Sequence, residues 1–139
     1  MLLYINQDSS GSKLFFENYV QQAEKASISI VKLLCEQALF SYESRIRLTK
    51  TKFRVNTKIP VYVNQSIFLM PSKSPKQYDN IWLNYFAIAG YHPYQSSVVV
   101  LLKNRSEIVI QQSFRVFQNK MRLCEAILSY IKQVDEDIL

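Results

Sequence analysis

Two glycines and four prolines in 139 residues leave this chain almost without the residues that punctuate a backbone. Gly11 and Gly90 cannot supply a glycine-rich phosphate loop, a GxGxxG turn or a GxSxG nucleophile elbow. The same scarcity excludes flexible linkers and low-complexity segments. Apolar residues make up 48% of the chain, too many for a disordered one. The length then predicts one domain, residues 1–139, rich in regular structure.

Cysteine and histidine are equally scarce. Cys35 and Cys124 match no zinc spacing and make no disulfide framework, so two reduced core thiols are expected. His92, the only histidine, lies in a Tyr-rich turn, and a metal site needs at least three suitable ligands. The eleven acids are scattered, which argues against a two-metal nuclease. Their one close group, Asp135, Glu136 and Asp137, reads as a short acidic tail. No enzyme activity, metal or cofactor is therefore expected. No apolar run reaches the length of a membrane span, and the first residues lack the cationic start of a signal peptide. A cytoplasmic protein is expected.

What the chain does have is positive charge, +6 in total and unevenly placed. Between Glu43 and Asp79 there is no acid, while Ser44–Lys58, SRIRLTKTKFRVNTK, holds six cations: Arg45, Arg47, Lys50, Lys52, Arg54 and Lys58. Surfaces that only need solvation usually interleave both signs, because like charges repel. An acid-free run is better explained as a docking surface for a polyanion. Lys73, Lys76, Lys103 and Arg105 are secondary candidates.

Periodicity predicts an α+β fold: a mostly antiparallel sheet of short strands and hairpins, one central helix and one C-terminal helix. Leu2–Ile5 and Leu14–Phe16 read as a hairpin around Asp8–Gly11. Ile30, Val31, Leu34, Ala38 and Tyr42 step as a helix from about Ile28 to about Ser44 or a turn beyond, capped by Ser27 or Ser29. In the basic run, Arg45 and Arg47 alternate with apolar residues in one parity, and Lys50, Lys52 and Arg54 in the other. No flat strand holds both sets. A helix end near Thr49, followed by an extended segment, reconciles them and puts the last three cations on one face, about 6.5–7 Å apart. Short strands follow at Ile59–Val63 and Ile67–Met70, then a long buried strand over Ile81–Ala89 and a turn at Tyr91–Tyr94. Ser97–Leu102 and Glu107–Ile110 form a hairpin with a basic tip. Ser113 caps a final helix whose apolar residues form two stripes. Core packing explains one stripe. A partner copy explains another, and Phe114, Phe117, Met121, Leu128 and Ile131 are the expected oligomer interface.

The ordered set of signals resembles the ComK family of competence transcription factors. Ser41-Tyr-Glu-Ser-Arg-Ile-Arg-Leu-Thr49 is similar to that family's Ser-Tyr-x-Gly-Arg-x-x-Gly-Thr segment. Ile59–Pro71 resembles its Pro-apolar strand and Ile-Phe-x-x-Pro run. Gly11–Lys13, Trp82, and Ser113-Phe114 with Asn119 fall at the corresponding places. The resemblance runs from about Leu2 to Lys132, with Ser44 and Leu48 standing where the family prefers glycine. It implies a transcriptional activator of DNA-uptake genes that binds AT-rich double-stranded DNA largely through the minor groove. It further implies a homodimer or a dimer of dimers acting with the transcription machinery. It adds Tyr42 and Thr49 to the DNA-contact set and supports Arg45. No helix-turn-helix is read from the residues. The alternatives are a diverged protein-interaction module without DNA binding, and adhesion to an acidic membrane surface.

Overall fold

Along Ile67-Phe-Leu-Met70 alternate side chains enter two different cores: Phe68 and Met70 one, Ile67 and Leu69 the other. A strand covered on both faces loses the apolar–polar alternation of a half-exposed one and reads as a continuous apolar run. That strand belongs to a central sheet in a computed structural model that describes residues 1–137.

The sheet has six strands, all paired antiparallel: β1 (Leu2–Asp8), β2 (Gly11–Phe16), β3 (Val20–Ala23), β4 (Val61–Asn64), β5 (Ile67–Pro71) and β6 (Trp82–Asn84), in the order β3-β2-β1-β6-β5-β4. One face carries α1 (Ser27–Gln37) and α2 (Tyr42–Phe53), over Leu2, Ile5, Leu14, Val61, Val63, Leu69 and Trp82. The other face packs against an antiparallel sheet, β7 (Ile88–Tyr94), β8 (Ser97–Leu102) and β9 (Glu107–Ile110), and against α3 (Phe114–Glu136). The α+β class, the first hairpin and the β8–β9 hairpin are as the sequence predicts. Ser113 caps α3 as expected, its Oγ accepting the Val116 N–H at 3.2 Å.

Four expectations are corrected. The first helix does not run on to Ser44. It ends at Gln37, where Phe40 N–H bonds the Cys35 carbonyl and Leu39 N–H the Glu36 carbonyl, with Leu39 left-handed at φ 69°. This is a Schellman closure with leucine in the position glycine normally takes. Its start differs too: Ala26 holds the cap position, and the Ser27 N–H is taken by the Gln7 side chain of β1 at 3.0 Å. The helix is thus capped by its tertiary neighbour, which no local pattern records.

The second correction concerns the basic run. α2 continues through Thr49 to Phe53, so Lys50 and Lys52 are helical and Arg54 is its left-handed C-cap at φ 53°. The parity conflict vanishes at 100° per residue. Ser44 and Leu48, where the family prefers glycine, lie inside this helix, and each non-glycine residue favours helix by up to about 1 kcal/mol.

Third, Ile81–Ala89 is not one strand. β6 stops at Asn84, a 3-10 turn spans Tyr85–Ala87, and the chain crosses into the second sheet. Asn84 makes that exit. Its buried Oδ1 accepts the Phe68 and Phe86 N–H groups at 3.0 and 3.2 Å, and its Nδ2 donates to the Leu2 and Ser66 carbonyls at 2.7 and 2.9 Å. Fourth, Tyr91–Tyr94 belongs to β7, and the chain reverses between Tyr94 and Ser97.

Candidate nucleic-acid interface

α2 sorts the six cations by helical angle. Arg47, Lys50 and Arg54 are three and four residues apart, so they share one face, and all three are exposed. The opposite side of α2 holds it to the molecule. Tyr42 meets Trp82 edge-on with ring centroids 6.4 Å apart. Thr49 is buried, its Oγ1 donating to the Arg45 carbonyl at 2.7 Å. Arg45 lies over the Phe40 ring at 4.1 Å and donates to the Tyr62 carbonyl of β4 at 3.2 Å. Lys52 sits 4.5 Å from the Tyr130 ring centroid of α3. The residues that the family resemblance singled out therefore seat the helix, while Arg47, Lys50 and Arg54, found by charge alone, face solvent.

None of the six cations makes a salt bridge among the described residues. Lys50, Lys58 and Lys76, from α2, the α2–β4 loop and the β5–β6 loop, line one open hollow of about 530 Å³, with Ile28, Ile46, Ile59 and Pro75. Its one carboxylate, Glu43, is occupied by Lys32 at 3.0 Å. A backbone N–H bond, and after it the one from Lys32, holds that carboxyl below its ordinary range. The field over this face is thus positive and uncompensated.

The loop between α2 and β4 is shaped rather than slack. Lys58 takes a left-handed backbone at φ 51° ahead of the buried Ile59 and Pro60. Lys120 of α3 donates to the Thr57 carbonyl at 2.8 Å. Burial, with the Lys58 charge second, pulls the Lys120 ammonium below its ordinary pKa. Left-handed non-glycine residues cost conformational energy and persist where the surroundings impose them.

The secondary candidates separate. Lys76 joins the hollow, but Lys73 is paired with Asp79 and reaches Gln111 Oε1 at 3.4 Å. Lys103 and Arg105 are exposed at the β8–β9 tip, where Asn104 donates to the Glu17 carbonyl after β2, and neither lines the hollow. In the expected oligomer interface, Phe117 and Met121 are corrected: at 2% and 8% exposure they belong to the core beneath α3. Phe114, Leu128 and Ile131 are half-buried against the same core. The apolar side chains that α3 leaves more open are Val116, Tyr130 and Val134.

Two features escaped the residue pattern. One is the pair of consecutive helices α1 and α2 joined by Ala38–Ser41, a connection as short as that of a helix-turn-helix. The Ser41 cap, whose Oγ accepts the Ser44 N–H at 3.2 Å, was the available signal. The other is the role of α3 in holding the basic loop. Among the described residues no group of three His, Cys, Asp or Glu is placed to hold a metal, and no helix is long and apolar enough to cross a membrane.

Neither the curated proteins nor the solved structures contain a match to this chain. The model of one family, described as ComK protein, matches residues 2–136 and so spans both sheets and all three helices. With the Ser41–Thr49 segment on α2 and its cap, and the β4–β5 hairpin and Trp82 each in a defined structural place, the chain belongs to the ComK family, a family of competence-related transcription factors.

Proposed function

We infer that this protein is a cytoplasmic, sequence-specific transcriptional activator that binds AT-rich duplex DNA as an oligomer. The observation that carries the reading is the outer face of α2: Arg47, Lys50 and Arg54 in register, joined by Lys58 and Lys76, without an acid partner among the described residues. A helix with side chains is about 10–12 Å across and does not enter a minor groove about 6 Å wide. In this reading α2 lies along the phosphates, and arginines from its outer face and C-cap reach into the groove. Narrow AT-rich grooves concentrate negative potential and attract such arginines. Tyr42, Arg45 and Thr49 act by seating the helix. Lys52, Lys103 and Arg105 add long-range charge, and the open α3 residues Val116, Tyr130 and Val134 meet a second copy.

Gel-shift titration with matched AT-rich and GC-rich duplexes tests this. The triple variant Arg47→Gln, Lys50→Gln, Arg54→Gln is expected to weaken binding at least a hundredfold and leave the light-scattering mass unchanged. A minor-groove polyamide is expected to displace the parent from AT-rich DNA. Insensitivity to the polyamide, with loss of binding on blocking the major groove, moves α2 to the role of a recognition helix. Absence of any DNA binding favours the second reading, a protein-interaction module, to which the open Leu39 and Leu48 side chains would belong.

A further inference from the structure

The inner side of α2 carries a second, half-open concavity, of about 440 Å³, bordered by α2, β4 and α3. Its walls are apolar: Phe53, Pro60, Tyr62, Ile127 and Ile131 are its main hydrophobic surfaces. Among the described residues every charged side chain that lines it is a cation, and there are two, Arg45 and Lys52. Neither makes a salt bridge among the described residues. Arg45 has five N–H donors and gives one to the Tyr62 carbonyl, and Lys52 rests on the Tyr130 ring. At the mouth Leu48 is 58% exposed, although α2 has a well-packed side to offer large apolar residues.

The geometry points to a small-molecule site here, for an amphipathic carboxylate with an elongated apolar body. The volume falls in the range of small-ligand sites, which are mostly apolar with a few placed polar groups. The body fills the space between α2 and α3 and covers Leu48. The carboxylate meets the free donors of Arg45 and Lys52, a charge-assisted arrangement stronger than a neutral one. A neutral or cationic head would leave those donors without a partner or repel them. A concavity bounded by three elements on one chain suits a free molecule rather than a lipid bilayer. The site shares Arg45 and Lys52 with the helix that the DNA reading uses, but Arg47, Lys50, Arg54 and Lys58 do not line it.

Decanoate is the probe, with decyltrimethylammonium as the counterpart of equal tail and opposite head. Calorimetric titration of the full chain is expected to show one saturable site for decanoate and none for the cation. Amide shifts should be confined to α2, β4 and α3. Lys52→Gln, at an exposed position, is expected to weaken decanoate about tenfold. Thr51→Trp, which places bulk at the mouth, is expected to abolish binding. Equal binding of both amphiphiles, unsaturable uptake, shifts elsewhere, an unaltered Lys52→Gln affinity, or binding only to anionic vesicles each overturns the assignment. If decanoate binds and no duplex does, the DNA reading alone fails; if a duplex binds and decanoate does not, this one does.

Discussion

Lys120 of α3 donates to the Thr57 carbonyl at 2.8 Å and so ties the C-terminal helix to the loop that carries Arg54 and Lys58. Its ammonium is partly desolvated and beside the Lys58 charge, so it is held there at a cost. Its gain is the shape of the loop.

Lys120→Met keeps the apolar stem and removes the tie. Binding to an AT-rich duplex is expected to weaken about three- to tenfold. The slope of log affinity against log salt should stay unchanged, because no phosphate contact is lost. Lys58→Met, by contrast, should flatten that slope by about 0.9. Equal slope changes in the two variants would make Lys120 a phosphate contact rather than a positioning residue.

Leu39 is left-handed and 93% exposed, so it pays for its conformation without packing in return. A left-handed non-glycine residue costs about 1–2 kcal/mol, and glycine recovers part of this after its own unfolded-state entropy. Leu39→Gly is expected to stabilise the chain by about 0.5–1 kcal/mol, raising Tm by about 2–4 °C. Leu39→Ala removes the exposed side chain but keeps the backbone cost, and should change Tm little. Thermal unfolding of both variants separates the two causes.

Asn84 satisfies two backbone N–H groups and two carbonyls, drawn from Leu2, from Ser66 and Phe68, and from Phe86. Asn84→Ala leaves these groups buried without partners, at about 1–3 kcal/mol for each that water does not reach. A loss of at least about 3 kcal/mol in urea unfolding is expected. A loss under 1 kcal/mol would show that the β6 exit is held by packing alone.

Alkaline stability follows from groups whose protons burial retains. Desolvation pushes the Cys35 thiol up to about 11 and the Tyr42 hydroxyl up to about 12, and raises Cys124, Tyr4 and Tyr85 as well. Each acid is neutral in the folded chain and ionises first in the unfolded one. Their stabilising contribution is therefore complete below about pH 8.5 and is lost as pH rises toward about 12. Lys120, whose pKa is lowered by burial, works in the opposite sense below its ordinary value. Urea midpoints are expected to fall between pH 9 and pH 11. Cys35→Ser, whose hydroxyl does not titrate there, should shallow that fall.

Much of the fold could be read locally. The β1–β2 and β8–β9 hairpins and the Ser113 start of α3 rest on neighbours a few residues apart, and pattern reports them well. The failures share a cause. Gln7 caps α1 from another strand, and Asn84 ends β6 by bonds to Leu2 and Ser66, far away in sequence. For the site, Lys50, Lys58 and Lys76 were legible as charges but not as one hollow, because three separate elements bring them together. Phe117 and Met121 were legible as an apolar stripe, but only packing tells which stripe the core takes.

By itself the amino-acid order determined the acid-free interval between Glu43 and Asp79, the alternation of short apolar runs, and the likeness to the ComK family. Tertiary structure decided that Arg45–Phe53 is helical, with Arg54 as its left-handed cap, and which of these cations stay free. Over so few residues a period of 2 and one of 3.6 fit the same letters nearly equally. The tie is broken by what each side chain finds to rest on: Trp82 for Tyr42, Tyr62 for Arg45, Tyr130 for Lys52, and water for Arg47, Lys50 and Arg54.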